Sequence, residues 1–236
     1  MIAACRLSSS MGSAMSEPSE AVQDYLKAIH NLGGAVQIVS PAEIANLLGV
    51  KAPSVTGMLK RLAEAGWITY TSGDGATLTP SGIIAARRVV RRHRLIELFL
   101  TQVLGLDWSE VDAEAEALEH AISPRLEQAI ATYLGEPAED PHGHPIPTSQ
   151  GELTNRVLQR LSELRDGQSA IIREAQDDNP ARLRQWREHG LIPGATAHCL
   201  RYDALDDLFE IEVSGRIIRL GSEGLWGLRG EPKVPA

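Results

Sequence analysis

The chain is 236 residues long, is 43% hydrophobic and carries a formal net charge of −8. That is enough apolar material for one or two ordinary cores, or three small domains. Its two cysteines, Cys5 and Cys199, offer neither a disulfide framework nor a thiolate metal site, which points to a reducing cytosol and a cytoplasmic protein. No run of about 18 apolar residues is present, so no membrane-spanning helix is expected. Residues 1–15, MIAACRLSSSMGSAM, lack the charged start and apolar core of a signal segment and read as a disordered extension, with Met15 the expected beginning. The acidity is uneven: residues 16–103 carry nine Lys/Arg against seven Asp/Glu, whereas residues 104–151 carry one against ten. An anion-binding surface and a cation site are therefore expected in one chain.

Residues 19–32, SEAVQDYLKAIHNL, set Val22, Tyr25, Leu26 and Ile29 on one helical stripe behind a serine cap. SPAEIANLLGV predicts a second, short helix, with Ser40 as N-cap, Pro41 at the first position, Glu43 completing a capping box and Gly49 as the stop. A third helix opens at Pro53, runs Val55, Met58, Leu59 and Leu62 along one stripe and stops at Gly66. In WITYTSGDGATLTPSG two β-rich runs flank a Ser-Gly-Asp-Gly turn. Three helices and a hairpin predict a winged helix-turn-helix whose third helix enters the major groove. The expected DNA-facing residues are Lys51 and Pro53 at its start, Ser54 and Thr56 for close approach to bases, and Lys60 and Arg61 for phosphates.

A long helix is predicted from Pro80 to about Val103, on which His93 and Glu97, four apart, share a face while the neighbouring arginines lie mostly elsewhere. The acidic run that follows contains EALEH, so Glu116, Glu119 and His120 project together from successive turns. Like charges at that spacing repel unless a cation sits between them. Imidazole and carboxylate without sulfur favour Mn²⁺ or Fe²⁺ over a structural Zn²⁺. Beyond a Pro- and Gly-rich stretch at 136–151 that reads as a linker, short alternating strands with glycine turns predict a small β-barrel, interrupted by a helix in PARLRQWREHGLIPG. Cys199 falls in a strand pattern and is assigned to its core.

Through DYLKAIH, APSVTGMLKRL, LTPSG, RRHRLIELFL, EALEH and DPHGHPIP, residues 16–147 resemble the diphtheria-toxin-repressor family of metal-dependent bacterial repressors. The resemblance implies metal ligands at Asp24, His93, Glu97, Glu116, Glu119 and His120. Asp112 stands where the iron-sensing branch has histidine. Asp24 and Glu116 replace that branch's methionine and cysteine, the choice of the manganese-sensing branch and of harder cations. Lys27 stands where the manganese branch has a further acidic ligand, which speaks against a compact two-manganese cluster. Gly57 replaces a glutamine used near bases, so the operator sequence does not carry over. DPHGHPIP is a linker in the family, so His142 and His144 receive no role. The last region, through GLIPG, resembles the SH3-like third domain of longer members, and by that analogy Glu174 and Asp177 would lend ligands to an ancillary site.

The expected protein is mainly α with a small β domain. It comprises an extension (1–15), a winged helix-turn-helix (16–82), a helical metal-binding and dimerisation domain (83–135), a linker (136–151) and an SH3-like β-barrel (152–236). The expected function is a homodimeric repressor that senses Mn²⁺ or Fe²⁺, binds palindromic operator DNA and controls metal-uptake genes, without membrane or small-molecule substrate. Two alternatives stand beside it. A di-metal carboxylate enzyme would repeat Glu-x-x-His on two helices, which this chain does not do. A metal-independent winged-helix regulator would leave the acids facing solvent.

Overall fold

The computed structural model describes residues 18–176 and 179–233, so the extension expected at 1–15 lies outside the described residues. The first helix, α1 (Glu20–Asn31), buries Tyr25, Leu26 and Ile29 as its stripe requires. In α2 (Pro41–Leu48) the capping box is complete: Glu43 N–H donates to Ser40 Oγ at 3.2 Å, Ser40 N–H donates to Glu43 Oε2 at 2.8 Å, and Gly49 ends the helix at φ 63°. The third helix, α3 (Ala52–Glu64), buries Val55, Met58, Leu59 and Leu62 against the first two. Strands β1 (Ile68–Thr71) and β2 (Gly75–Leu78) form the antiparallel wing, closed on its inner side by a Val39–Ala76 bridge. Gly75 is needed there, at φ 135° and with its Cβ position only 2.4 Å from the Val39 carbonyl oxygen.

Helix α4 (Pro80–Gln102) is the spine of the molecule. Thr79 Oγ1 accepts from Gly82 N–H to cap it, and its 23 residues span about 35 Å at 1.5 Å rise per residue. Its first turns pack on the winged unit through Ala86; farther along, Leu95 and Leu98 pack on Ile130 of α6 (Pro124–Tyr133), and Ile96 and Leu100 on Val111 and Ala115 of α5 (Val111–Leu118). The neighbouring arginines find partners other than His93 and Glu97, but not in solvent. Arg91 and Arg92 are buried, the first donating to Glu127 at 3.1 Å and the second to Gln23 at 2.6 Å. Partners on α1 and α6, invisible to helical periodicity, make that burial tolerable.

The C-terminal region is a six-stranded antiparallel sheet in the order β3-β8-β4-β5-β6-β7, with β3 (Gln159–Arg160), β4 (Ser169–Ala175), β5 (Thr196–Asp203), β6 (Leu208–Val213), β7 (Arg216–Gly221) and β8 (Leu228–Lys233). Bulges at 172–174 and 199–201 bend it over one core of Ile172, Trp186, Cys199, Phe209 and Leu228. Trp186 comes from α7 (Pro180–His189), the helix read from the sequence, which is capped by Asn179. Trp108, just before α5, enters this same core and ties the sheet to the helical region. The stretch at 136–151 does connect the two, but as an ordered clasp rather than a loose tether. Asp140 accepts from the backbone N–H of His142 and of His144, and Ala175 N–H donates to the His142 carbonyl.

His30, at the end of α1, has a buried Nδ1 without a hydrogen-bond partner, and burial pulls its imidazole down to about 4. The unfolded chain therefore binds a proton at about pH 6.5 that the folded chain refuses until about pH 4. Stability contributed by the neutral ring is present above that window and lost as pH falls through it. His30→Gln is expected to remove this part of the acid sensitivity. The test compares denaturation midpoints of variant and wild type at pH 7 and pH 5; an equal drop in both would show that His30 is not responsible.

Candidate metal centre

One face of α1 carries Lys27 with Gln23 and Asp24, four and three residues before it; α1 packs on α4, and Lys27 reaches Glu116 of α5. Glu119 and His120 are not inside α5, as their spacing suggested. The helix ends at Leu118, and Glu119 follows as its C-cap in helical backbone conformation, so the two side chains still reach α1. His120 Nε2 lies 2.7 Å from Asp24 Oδ1, and His120 Nδ1 lies 3.2 Å from Gln23 Oε1, an oxygen already identified as acceptor by the Arg92 guanidinium. Both ring nitrogens thus face oxygen acceptors, while a neutral imidazole has only one N–H. A proton or a metal cation is needed between His120 and Asp24. Glu119 Oε1 completes the group at 3.5 Å from His120 Nε2. The Glu119 side chain is 0% exposed, and this oxygen has no hydrogen-bond partner. Asp24, Glu119 and His120 offer three ligand atoms within 4.8 Å of one another, a donor set of oxygen and nitrogen that fits Mn²⁺ or Fe²⁺.

The other Glu119 oxygen faces a different environment. Lys27 Nζ donates to Glu119 Oε2 at 2.7 Å and to Glu116 Oε2 at 2.5 Å, and His93 Nδ1 lies 2.7 Å from the same Glu119 Oε2. Lys27 is 8% exposed. The carboxylates therefore do not repel in an empty cluster, as their spacing alone implied: an ammonium from α1 already sits among them. Burial pushes the Glu119 carboxyl up, but hydrogen bonding to His93 and the Lys27 charge outweigh it and hold it below the usual carboxylate range.

On its other side His93 Nε2 meets Asp112 Oδ1 at 3.3 Å and Glu97 Oε1 at 3.5 Å. Burial pulls the His93 imidazole down, but hydrogen bonds to Asp112, Glu119 and Glu97 more than reverse this and hold it well above its ordinary range. His93, Glu97 and Asp112 form a second convergent group, and His142 Nδ1 lies 3.4 Å from the same Glu97 oxygen. His142 is the residue that sequence reasoning missed. Its ring stacks on Trp108, and its Nε2 is hydrogen bonded to the Trp108 carbonyl oxygen. The motif DPHGHPIP was visible, but only the fold shows that the clasp brings its first histidine back to α4. Glu174 is in neither group. It helps line a pocket of about 270 Å³ with Arg94, His144 and Arg156, because β4 runs past the far side of the clasp. Asp177 lies outside the described residues.

The DNA-facing candidates stand together on α3. Lys51, Pro53, Ser54, Lys60 and Arg61 are exposed and Thr56 is half-buried, its hydroxyl donating to the Ala52 carbonyl oxygen at 3.3 Å. Gly57 lies on the same open face with nothing near its Cβ position.

Three family models match in succession: residues 18–76 an iron-dependent repressor N-terminal DNA-binding domain, residues 79–148 an iron-dependent repressor metal-binding and dimerisation domain, and residues 159–225 a FeoA domain. The iron-dependent repressor IdeR of Mycobacterium leprae is 30% identical over 194 residues, covering 77% of this chain and 84% of that protein. The chain belongs to the iron-dependent repressor family. The diphtheria toxin repressor of Corynebacterium glutamicum is also 30% identical, over 74% of this chain and 75% of its own. A solved structure described as a manganese-dependent transcriptional repressor in complex with manganese matches this chain with a TM-score of 0.84. The identity is 36%, over 90% of this chain and 100% of that one. Lys27 and His142 are where the geometry of this family member departs from the ligand set its motifs imply.

Proposed function

We propose that this chain is a metal-activated, DNA-binding transcriptional repressor in which Asp24, Glu119 and His120 hold a divalent cation, Mn²⁺ first and Fe²⁺ second. The observation that carries the reading is the buried Glu119 oxygen, without a hydrogen-bond partner, beside His120 and Asp24. Asp24 belongs to a helix of the winged unit's core, Glu119 and His120 to the helical unit, so the cation would fasten one to the other. His93, Glu97, Asp112 and His142 form an ancillary group, and Glu116 serves the first site through Lys27. Among the described residues no helix is long and apolar enough to cross a membrane.

For the DNA, Ser54 and Thr56 would approach base edges while Lys51, Lys60 and Arg61 meet phosphates. Leu104, Leu118, Leu126 and Tyr133 are exposed on the helical unit, an apolar surface that suits a second copy of the chain. A two-fold dimer would set two α3 helices on the half-sites of a palindrome in the promoters of metal-uptake genes.

The test measures metal content and operator affinity on one preparation. Operator affinity is expected to rise at least about tenfold on adding Mn²⁺ to chelator-treated protein and to fall steeply with salt. Lys60→Ala should weaken all DNA sequences alike. Equal affinity with and without bound metal would leave a metal-independent regulator.

A further inference from the structure

Glu119 uses its two oxygens differently. Oε2 is engaged by Lys27 Nζ and by His93 Nδ1, both at 2.7 Å, whereas Oε1 has no hydrogen-bond partner and faces Asp24 and His120. Glu116 Oε2, Glu119 Oε2 and His93 Nδ1 would by themselves make a second three-ligand cluster of carboxylate and imidazole. The Lys27 ammonium stands among those three atoms, at 2.5, 2.7 and 3.1 Å. A carboxylate with one oxygen on a cation and the other turned to a further ligand group is the arrangement of a bridged two-cation centre, where metal ions sit about 3.5–4 Å apart. We infer that Lys27 is the resident second cation of this centre, so that each chain binds one divalent ion at Asp24, Glu119 and His120 and no carboxylate-bridged pair.

The physical reasons are position and charge. Lys27 is 8% exposed and emerges from α1 between Tyr25, Leu26 and Ile29, which anchor that helix in the winged core. A divalent ion in the same cluster would meet both a like charge and occupied ligand atoms. The ammonium also places a directed donor on Oε2, which leaves Oε1 free for the ion shared with Asp24 and His120. Lys27 is thus a positioning and stoichiometry-setting residue, while Glu119 is the shared ligand.

The inference rests on the metal-centre reading above, and the experiment separates the two. Full-length protein is loaded with Mn²⁺, and metal content and electron paramagnetic resonance are read together. The wild type is expected to show isolated Mn²⁺ and no exchange-coupled pair. Lys27→Glu, which replaces the ammonium with a ligand, is expected to take up one further Mn²⁺ per chain and to gain the coupled spectrum. Lys27→Met, which keeps the apolar stem, serves if the first variant does not fold, and is expected to gain Mn²⁺ content also. A coupled pair in the wild type, or wild-type Mn²⁺ content in both variants, overturns the inference and leaves the metal centre standing. Wild-type Mn²⁺ content that Asp24→Ala does not change overturns both.

Discussion

Asp24→Ala is expected to fold, to dimerise and to lose most of the Mn²⁺-stimulated gain in operator affinity. The side chain is 37% exposed and, among the described residues, bonded to His120 alone, so its removal leaves no fully buried group stranded. Yet it is the one carboxylate that α1 brings to the ion, and α1 also carries Tyr25, Leu26 and Ile29 of the core beneath the recognition helix. The ion can favour the DNA-competent arrangement only through contacts that differ between arrangements. Without Asp24 it would still touch Glu119 and His120, which lie on the same side of the joint. Taking a population from 1:99 to 99:1 requires about 5.5 kcal/mol of preference, and coupling in allosteric proteins is commonly about 1–3 kcal/mol, or 5–150-fold. The expected result is a stimulation cut to about fivefold or less. Operator affinity across a Mn²⁺ titration decides it: a curve superposable on that of the wild type removes Asp24 from the coupling.

Glu119→Ala is expected to do more damage, and to the metal-free protein as well. The family resemblance implies for Glu119 a ligand role alone. In the structure it is also a counter-charge of the buried Lys27 ammonium and the hydrogen-bond partner of His93 Nδ1, each at 2.7 Å. Removing one partner of a buried ion pair leaves the other desolvated and unpaired, at a cost of about 3–5 kcal/mol. Glu116 softens this for Lys27, since its half-exposed carboxylate remains 2.5 Å away, so a result toward the lower end is expected. Denaturant unfolding of the metal-free variant gives the loss, and Glu119→Ala combined with Lys27→Met should recover a large part of it, because the stranded charge is gone. A single variant as stable as the wild type, or a double variant no better than the single, would contradict this account of the cluster.

Much of the fold was legible from local rules. The Ser40–Glu43 capping box, the Gly49 stop, the stripe of Val55, Met58, Leu59 and Leu62 and the Gly-Asp-Gly wing turn each depend on residues a few positions apart, where hydrogen-bond geometry and side-chain period are set by the chain itself. His93 and Glu97 belong to the same class, since four residues on a helix make one face. What spacing could not supply was the charge balance around them. The partners of Lys27 are 66, 89 and 92 positions away, Gln23 meets His120 across 97, and His142 reaches Trp108 across 34. No periodicity reports on such pairs, because they are decided by how α1 and the clasp pack on α4. Residue patterning alone put forward carboxylates and imidazoles for a divalent ion and one helix for DNA. Packing then set one of those carboxylates beside a lysine: burial brings a tethered ammonium within 2.7 Å of Glu119 Oε2 and leaves Oε1 facing Asp24 and His120.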